Sequence, residues 1–136
     1  MDPVETGLGR WLTAVENHDA ALLPDLVADG AVFRSPAVFR PQQGRDLVVA
    51  YLSAALTVLG GDFHYERQWL RDTGAVLEFR SVVDGREVHG VDMIEWNDEG
   101  LIQRFDVMVR PQSALTRVIE HMAAELTRML EGQPPA

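Results

Sequence analysis

The residue whose position points most directly to chemistry is Asp92. It lies in residues 86–96, where alternate positions place it in one row with Val88, Gly90, Ile94 and Trp96. Alternate residues of a β-strand share a face, so this carboxylate would stand in an otherwise apolar, core-facing row. Burying a lone carboxylate is costly unless it is paired, hydrogen-bonded or protonated. Asp92 is therefore predicted to be either an acid or base in a pocket or one half of a buried ion pair with an Arg.

Four other side chains are candidates for a second acid, base or hydrogen-bonding group beside Asp92: His18, Ser35, Tyr51 and Asp106. His18 ends a predicted helix, where capping or a surface role competes with a pocket contact. Tyr51 falls on an inward helical row, where core packing competes with ligand binding. Asp106 shares its parity with Arg104 and other polar residues, which favours a surface or interfacial ion pair over catalysis. The four His residues lack metal-ligand spacing, so neither a metal nor another cofactor is predicted.

Composition excludes several classes of chemistry and partner. The chain of 136 residues has no Cys, which removes disulfides and thiolate chemistry, and all twelve basic residues are Arg, so no Lys can form a Schiff base. A formal net charge of -9 argues against nucleic acid and anionic membranes as partners. No apolar run approaches a membrane span, and the first residues lack the pattern of a secretory signal, so a cytoplasmic location is expected. A small neutral or apolar ligand is the expected partner.

Hydrophobic periodicity predicts the elements that position these residues. Helical spacing appears over residues 4–17, in a short segment after Asp19, over 45–59, and over about 112–131. Asp29–Gly30 is expected to end the second helix, before a short strand over 31–35. Alternation predicts strands over 62–71, 75–83, 86–96 and from about 101 to 110, with turns at Asp84–Gly85 and Asn97–Gly100. In the first of these strands, Phe63, Tyr65 and Trp69 are expected to share one face.

This order of elements predicts an α+β fold in one domain covering residues 1–136. A strongly twisted antiparallel sheet of this length would curl around the N-terminal helices and form a cone with a pocket on its concave side. The apolar stripe of the last helix, which is Leu115, Val118, Ile119, Met122, Leu126, Met129 and Leu130, predicts packing against the sheet or a partner.

Two stretches carry a family resemblance: residues 10–36, from Arg10-Trp-Leu-Thr to Val-Phe-Arg-Ser-Pro36, and residues 91–109, from Val91-Asp-Met-Ile-Glu-Trp to Asp-Val-Met-Val109. In both, the chain resembles the SnoaL-like branch of the nuclear transport factor 2-like superfamily, nearest in pattern to ketosteroid isomerases. The resemblance covers roughly residues 4–110 and implies the cone-shaped fold. It implies little about function, because this fold hosts many chemistries.

Carried over position by position, the isomerase resemblance places Asp92 on the protonated carboxylic acid of the oxyanion hole. It places Ser35 on the general base and Trp11 on the oxyanion tyrosine, so steroid-type isomerisation is not expected. Epoxide hydrolases of the superfamily use an Asp-Arg-Asp arrangement. The resemblance places their Arg on Gly90 and their second Asp near Val107, with Asp106 one residue out of phase. A bulge would be needed to turn Asp106 inward. Polyketide cyclases of the superfamily use an acidic residue and a His near the last strand, and the resemblance places Asp106 one residue away from that acid.

The leading hypothesis is a pocket for a small apolar or weakly polar molecule, with acid/base chemistry of isomerase, cyclase or epoxide-hydrolase type at Asp92. The alternative is a non-catalytic binding or assembly module. The resemblance also implies a homodimer through the outer face of the sheet, where Val91, Met93 and Met108 lie among charges. The expected pocket-lining residues are Trp11, Phe33, Ser35, Tyr51, Trp96, Phe105 and Val107.

Overall fold

The computed structural model describes residues 2–132. Its elements, in chain order, are α1 (Pro3–Glu16), a 3-10 helix (Ala20–Asp25), β1 (Val27–Arg34), β2 (Gln42–Gln43), α2 (Arg45–Leu59), β3 (His64–Leu70), β4 (Gly74–Val83), β5 (Arg86–Trp96), β6 (Ile102–Arg110) and α3 (Gln112–Leu130). The predicted α+β class is confirmed. No helix among residues 2–132 combines the length and the apolar character that crossing a membrane requires.

Local capping explains where the helices begin and end. The Asp2 carboxylate accepts a hydrogen bond from the Val4 backbone N–H at 2.9 Å, and Pro3 occupies the first turn of α1, where its missing N–H costs nothing. The Asp19 carboxylate caps the 3-10 helix in the same way. α2 lies between two glycines with positive φ, Gly44 and Gly60, at the bounds that the sequence predicted.

The six strands form one curved, unclosed sheet in the order β2-β1-β6-β5-β4-β3. β3 to β6 pair antiparallel with their chain neighbours, and β1 pairs parallel with β6. The β4–β5 hairpin turns at Asp84 and Gly85, which both have the positive φ that a tight hairpin turn requires.

Two strands depart from the simple alternation expected from the sequence. β1 begins at Val27, so Asp29–Gly30 lies inside a strand rather than ending a helix, and its pairing with β6 shifts register between Val27 and Val32. In β3, register shifts between Tyr65 and Gln68. This irregularity places Trp69 opposite Val76 on the outer face of the sheet, where it is 47% exposed, and corrects the expectation that it shares a face with Tyr65.

The helices cover only the inner face of the sheet. The larger core joins α1, α2 and the inward rows of the strands, and Trp11, Leu52, Leu77 and Phe105 are all buried there. A second cluster lies under α3 and consists of Phe79, Val83, Val88, Ala114 and Val118. The apolar stripe predicted for the last helix is incomplete, since Leu130 is exposed and Glu125 is buried beside Arg128.

Candidate functional site

Strand register places Asp92 in the middle of the concave face. Asp92 pairs with Val107 on β6 and with Leu77 on β4. Arg34, the last residue of β1, pairs with Asp106. Extending this register by one residue beyond the end of β1 puts Ser35 beside Val107 and in line with Asp92, with the Cα atoms of Ser35 and Asp92 about 10 Å apart at a strand spacing of about 4.8 Å.

A chain of two hydrogen bonds ends at the Asp92 carboxylate. The Tyr65 hydroxyl donates to Asp92 Oδ2 at 2.5 Å, and the indole Nε1–H of Trp11 donates to the Tyr65 hydroxyl at 2.9 Å. Tyr65 comes from β3, two strands away from β5, whereas Trp11 comes from α1 above the sheet. Side chains from three separate elements are thus linked by hydrogen bonds in a series that ends at Asp92, which is only 5% exposed.

Burial shifts both acidic groups toward their protonated forms. Loss of water raises the pKa of Asp92 from 3.8 to about 7, and the hydrogen bond from Tyr65 opposes that rise only in part. Burial and the neighbouring Asp92 raise the pKa of Tyr65 well above its ordinary value. Asp92 forms no ion pair with any of the described residues, so the Arg-paired alternative does not hold in this structure. A carboxyl group with a pKa near neutrality can both release and accept a proton.

Asp92 lines an apolar cavity of about 210 Å³ between the sheet, α1, α2 and α3. Phe33, Tyr51 and Phe105 form much of one wall, with the Phe33 ring 5.3 Å from Tyr51 and 5.9 Å from Phe105. The exposed lining residues include His18 and Val38, which mark an opening beside the loop that follows β1. α3 contributes side chains that the sequence analysis did not assign to the pocket: Val118, Ile119, Met122, Ala123 and Leu126.

The structure gathers most of the residues singled out from the sequence around this cavity. Trp11, Phe33, Ser35, Tyr51, Phe105 and Val107 line it together with Asp92. Trp96 does not; its ring lies against Gly7 of α1, where an added Cβ would collide with it. Trp96 is at the far end of the strand from Val88, and the close approach of α1 covers it there. His18 reaches the rim of the cavity, as one of its two sequence interpretations held.

The two further groups of an epoxide-hydrolase arrangement are absent from the cavity. Asp106 projects from the outer face of the sheet and pairs with Arg104 at 3.2 Å and Arg34 at 3.5 Å. No bulge turns it inward, because β5 and β6 keep regular register from His89 to Glu95. At Gly90 a side chain would collide with the Phe79 ring and the Met108 carbonyl, so the position of the Arg is closed.

Tyr65 is the polar residue beside Asp92 that the sequence did not reveal. Its parity with Phe63 placed it on the inward row, but no spacing rule relates β3 to Asp92 twenty-seven residues later. A tyrosine on an apolar inward row is itself the usable signal, since a buried hydroxyl requires a partner. Within residues 2–132, no group of three His, Asp or Glu side chains is arranged to hold a metal ion.

Comparisons with known proteins identify the family and the fold of the chain. The SnoaL-like domain model matches residues 8–105. A solved steroid delta-isomerase from Pseudomonas aeruginosa is 38% identical over 96% of each chain, with a TM-score of 0.91. A protein with a cystatin-like fold from Silicibacter pomeroyi is 31% identical over 87% of this chain and 83% of its own, with a TM-score of 0.81. An NTF2-like protein from Mesorhizobium loti is 26% identical over 82% and 96%, with a TM-score of 0.71. No curated protein matches the chain.

Proposed function

Because the chain belongs to the SnoaL-like domain family, we propose that its concave cavity binds a small, largely apolar molecule and that Asp92 performs acid/base chemistry on it. The observation that carries the proposal is a buried carboxyl group, hydrogen-bonded by Tyr65, at the wall of an apolar cavity. Apolar walls with a few convergent polar groups are typical of small-molecule sites, and shifted pKa values cluster where proton transfer occurs.

The similarity to a steroid delta-isomerase supports proton transfer of the isomerase type over hydrolysis. That name belongs to the relative, and the substrate here is a separate question, because Ser35 and Trp11 stand where the isomerase resemblance implies a base and a tyrosine. Asp92 is then the group that exchanges a proton with the ligand. The closed position at Gly90 and the outward Asp106 speak against epoxide hydrolysis.

Two measurements on one probe test the proposal. 2,6-Diacetylnaphthalene is apolar and carries at each end a carbonyl with exchangeable methyl protons beside it. We expect it to quench the fluorescence of Trp11, which lines the cavity, and to exchange those protons with deuterated solvent faster in the presence of the protein. Asp92→Asn should keep binding and lower the exchange rate by about two orders of magnitude, as expected for loss of a general base. Exchange at the same rate in both proteins would contradict the chemistry, and absence of binding would contradict the site.

A second candidate function, assembly through the outer face of the sheet, rests on a separate observation. Met108 is 60% exposed at the centre of that face, next to Val91 and among the ion pairs of Asp106 and Glu78. An apolar centre with a charged rim is the usual composition of a protein interface. We infer that two copies of the chain pair through this face as a homodimer, which would leave both cavities open.

A further inference from the structure

The polarity of the hydrogen bonds around the cavity identifies which kind of ligand group each end accepts. Resting on the proposed function, we propose that Ser35 donates a hydrogen bond to an acceptor on the ligand, such as a carbonyl oxygen, while Asp92 Oδ1 accepts a proton or hydrogen bond from a donor on the same ligand. The ligand class is then an apolar molecule with a carbonyl at one end and a hydroxyl or acidic C–H group toward the other.

The direction of the bonds at Asp92 follows from Trp11. An indole nitrogen can donate a hydrogen bond but has no lone pair to accept one. The Tyr65 oxygen therefore accepts the hydrogen bond from Trp11 Nε1–H, and the Tyr65 hydroxyl donates its own single proton in a hydrogen bond to Asp92 Oδ2. The Tyr65 hydroxyl has no proton left for a ligand, and one acceptor site of Oδ2 is used, whereas Oδ1 accepts a hydrogen bond from none of the described residues. Oδ1 is therefore the oxygen of Asp92 that can form a hydrogen bond or exchange a proton with a ligand.

At Ser35 the hydroxyl is left as a hydrogen-bond donor, whereas Asp92 Oδ1 is left as an acceptor. Its Oγ accepts hydrogen bonds from the backbone N–H groups of Ala37 at 3.1 Å and Val38 at 3.3 Å. A hydroxyl offers two acceptor sites and one proton, so both acceptor sites are used and the proton remains. Its proton has no acceptor in the part of the chain that the structure describes. Two N–H donors withdraw charge from the oxygen and make that proton a better donor.

The spacing of the two groups sets the length of the ligand. Extending the β1–β6 register by one residue puts Ser35 beside Val107, and Val107 pairs with Asp92, so the Cα atoms of Ser35 and Asp92 lie about 10 Å apart. Both line the same cavity, and the apolar side chain of Val107 separates them. A ligand that satisfies both therefore lies across β6 with its polar groups at its ends, and its apolar middle rests on Val107.

The binding affinities of three matched probes, measured by titration of the full-length protein, test which end of the cavity donates and which end accepts. 2-Naphthol offers a donor alone, 2-acetylnaphthalene an acceptor alone, and 6-acetyl-2-naphthol offers both at opposite ends. We expect the last to bind about tenfold more tightly than either of the others. Naphthol should also bind more tightly as the pH rises through the pKa of Asp92 at about 7, since the ionised carboxylate is the better acceptor. Bound naphthol should keep the absorption spectrum of its protonated form.

Substitutions assign the two ends. Ser35→Ala should weaken the binding of acetylnaphthalene and of acetylnaphthol about tenfold and leave the binding of naphthol unchanged. Asp92→Asn should weaken the binding of naphthol. Tyr65 would donate its hydrogen bond to the amide oxygen, so the amide N–H, which cannot accept a hydrogen bond from naphthol, would face the cavity. Ser113→Ala, which changes an exposed hydroxyl at the start of α3, is the control and should alter none of the three. Tyr51→Phe tests the other lining hydroxyl, and acetylnaphthalene should bind more tightly to this variant than to Ser35→Ala.

Three outcomes would overturn the assignment while the cavity remains a binding site. One is naphthol binding that weakens as the pH rises through about 7, which would mean that the protonated form of Asp92 donates to the ligand. Another is unchanged acetylnaphthalene binding in Ser35→Ala, and the third is its loss in Tyr51→Phe alone. If none of the three probes binds, the proposed function itself fails and the polarity fails with it.

Discussion

Asp92 is enclosed by apolar side chains, so its charge state affects the free energy of unfolding. Its pKa rises from 3.8 to about 7 on folding, which means that the folded protein holds this proton more tightly than the unfolded chain does. The stabilisation is complete below the unfolded pKa and is lost as the pH rises through about 7. At 1.36 kcal/mol per pKa unit, the loss reaches about 4 kcal/mol.

Asp92→Asn should remove this pH dependence, because the amide stays neutral and can still accept the hydrogen bond from Tyr65. We expect the variant to be more stable than the parent protein at about pH 8, with a gap that narrows toward about pH 4. Urea unfolding at several pH values measures the gap directly. A variant that is strongly destabilised at every pH would mean that the carboxylate is held in its charged form.

Glu78 is the opposite case on the outer face of the sheet. Its carboxylate accepts two hydrogen bonds from Arg67, at 2.6 and 2.9 Å, and one from His89 at 2.7 Å, which lower its pKa from 4.5 to about 2. Glu78 therefore stabilises the fold above its unfolded pKa, and this contribution is lost as the pH falls through about 2. Glu78→Gln should lower the melting temperature at neutral pH and lower it less at about pH 3. Equal losses at both pH values would contradict the ionic cause.

The sequence led to Asp92 because one carboxylate in an apolar row breaks the alternation of a strand. It did not lead to Tyr65, which fits its apolar row and differs from Phe only by a hydroxyl. Which hydroxyl meets which carboxylate depends on the curvature and pairing of three strands. Neither is encoded in local spacing, so the partner of Asp92 had to come from the structure.

At the scale of elements, α3 both completes the cavity and covers the second core cluster. Truncation after Pro111 should therefore lower the stability by several kcal/mol or cause aggregation, since each large apolar side chain that it leaves exposed costs about 1.5–3 kcal/mol. A truncated chain that stays soluble with an unchanged melting temperature would refute this role.

A matched pair of substitutions on α3 checks the same point without shortening the chain. Val118 is buried, whereas Leu130 is 90% exposed on the same helix. Val118→Asp should destabilise the protein by several kcal/mol, because it buries a charge without a partner. Leu130→Asp should leave the melting temperature within about a degree or two.

The ends of helices and strands were predictable from the sequence where glycines or a turn mark them, and were not predictable where strand pairing is irregular. Gly44 and Gly60 flank α2, and the Asp84–Gly85 turn separates β4 from β5, so these bounds were predictable. The shift in β3 falls at Glu66 and Arg67, two successive polar residues that suit an outer face equally well. Alternation alone therefore placed Trp69 on the wrong side.

For the molecule as a whole, the outer face of the sheet decides between monomer and homodimer. We expect light scattering on a sizing column at tens of micromolar to give the mass of two chains. Met108→Asp, at the centre of the face, should shift the mass toward one chain, because a symmetric contact would bring two such charges together. Phe39→Asp is the matched control, since Phe39 is fully exposed but lies in the loop after β1. A monomeric parent protein would end this proposal.

The parallel pairing of β1 with β6 has a consequence for the order in which the protein folds. β3 to β6 are joined by short turns, whereas β1 joins β6 across about seventy residues, a far longer loop to close. We therefore expect the antiparallel meander to gain amide protection first during refolding and β1 to gain it later, as pulsed hydrogen exchange would detect. Phe33 and Ser35 arrive with β1, so a chain that has formed most of its sheet still has no enclosed site, and a ligand can bind only after the last long-range pairing is made.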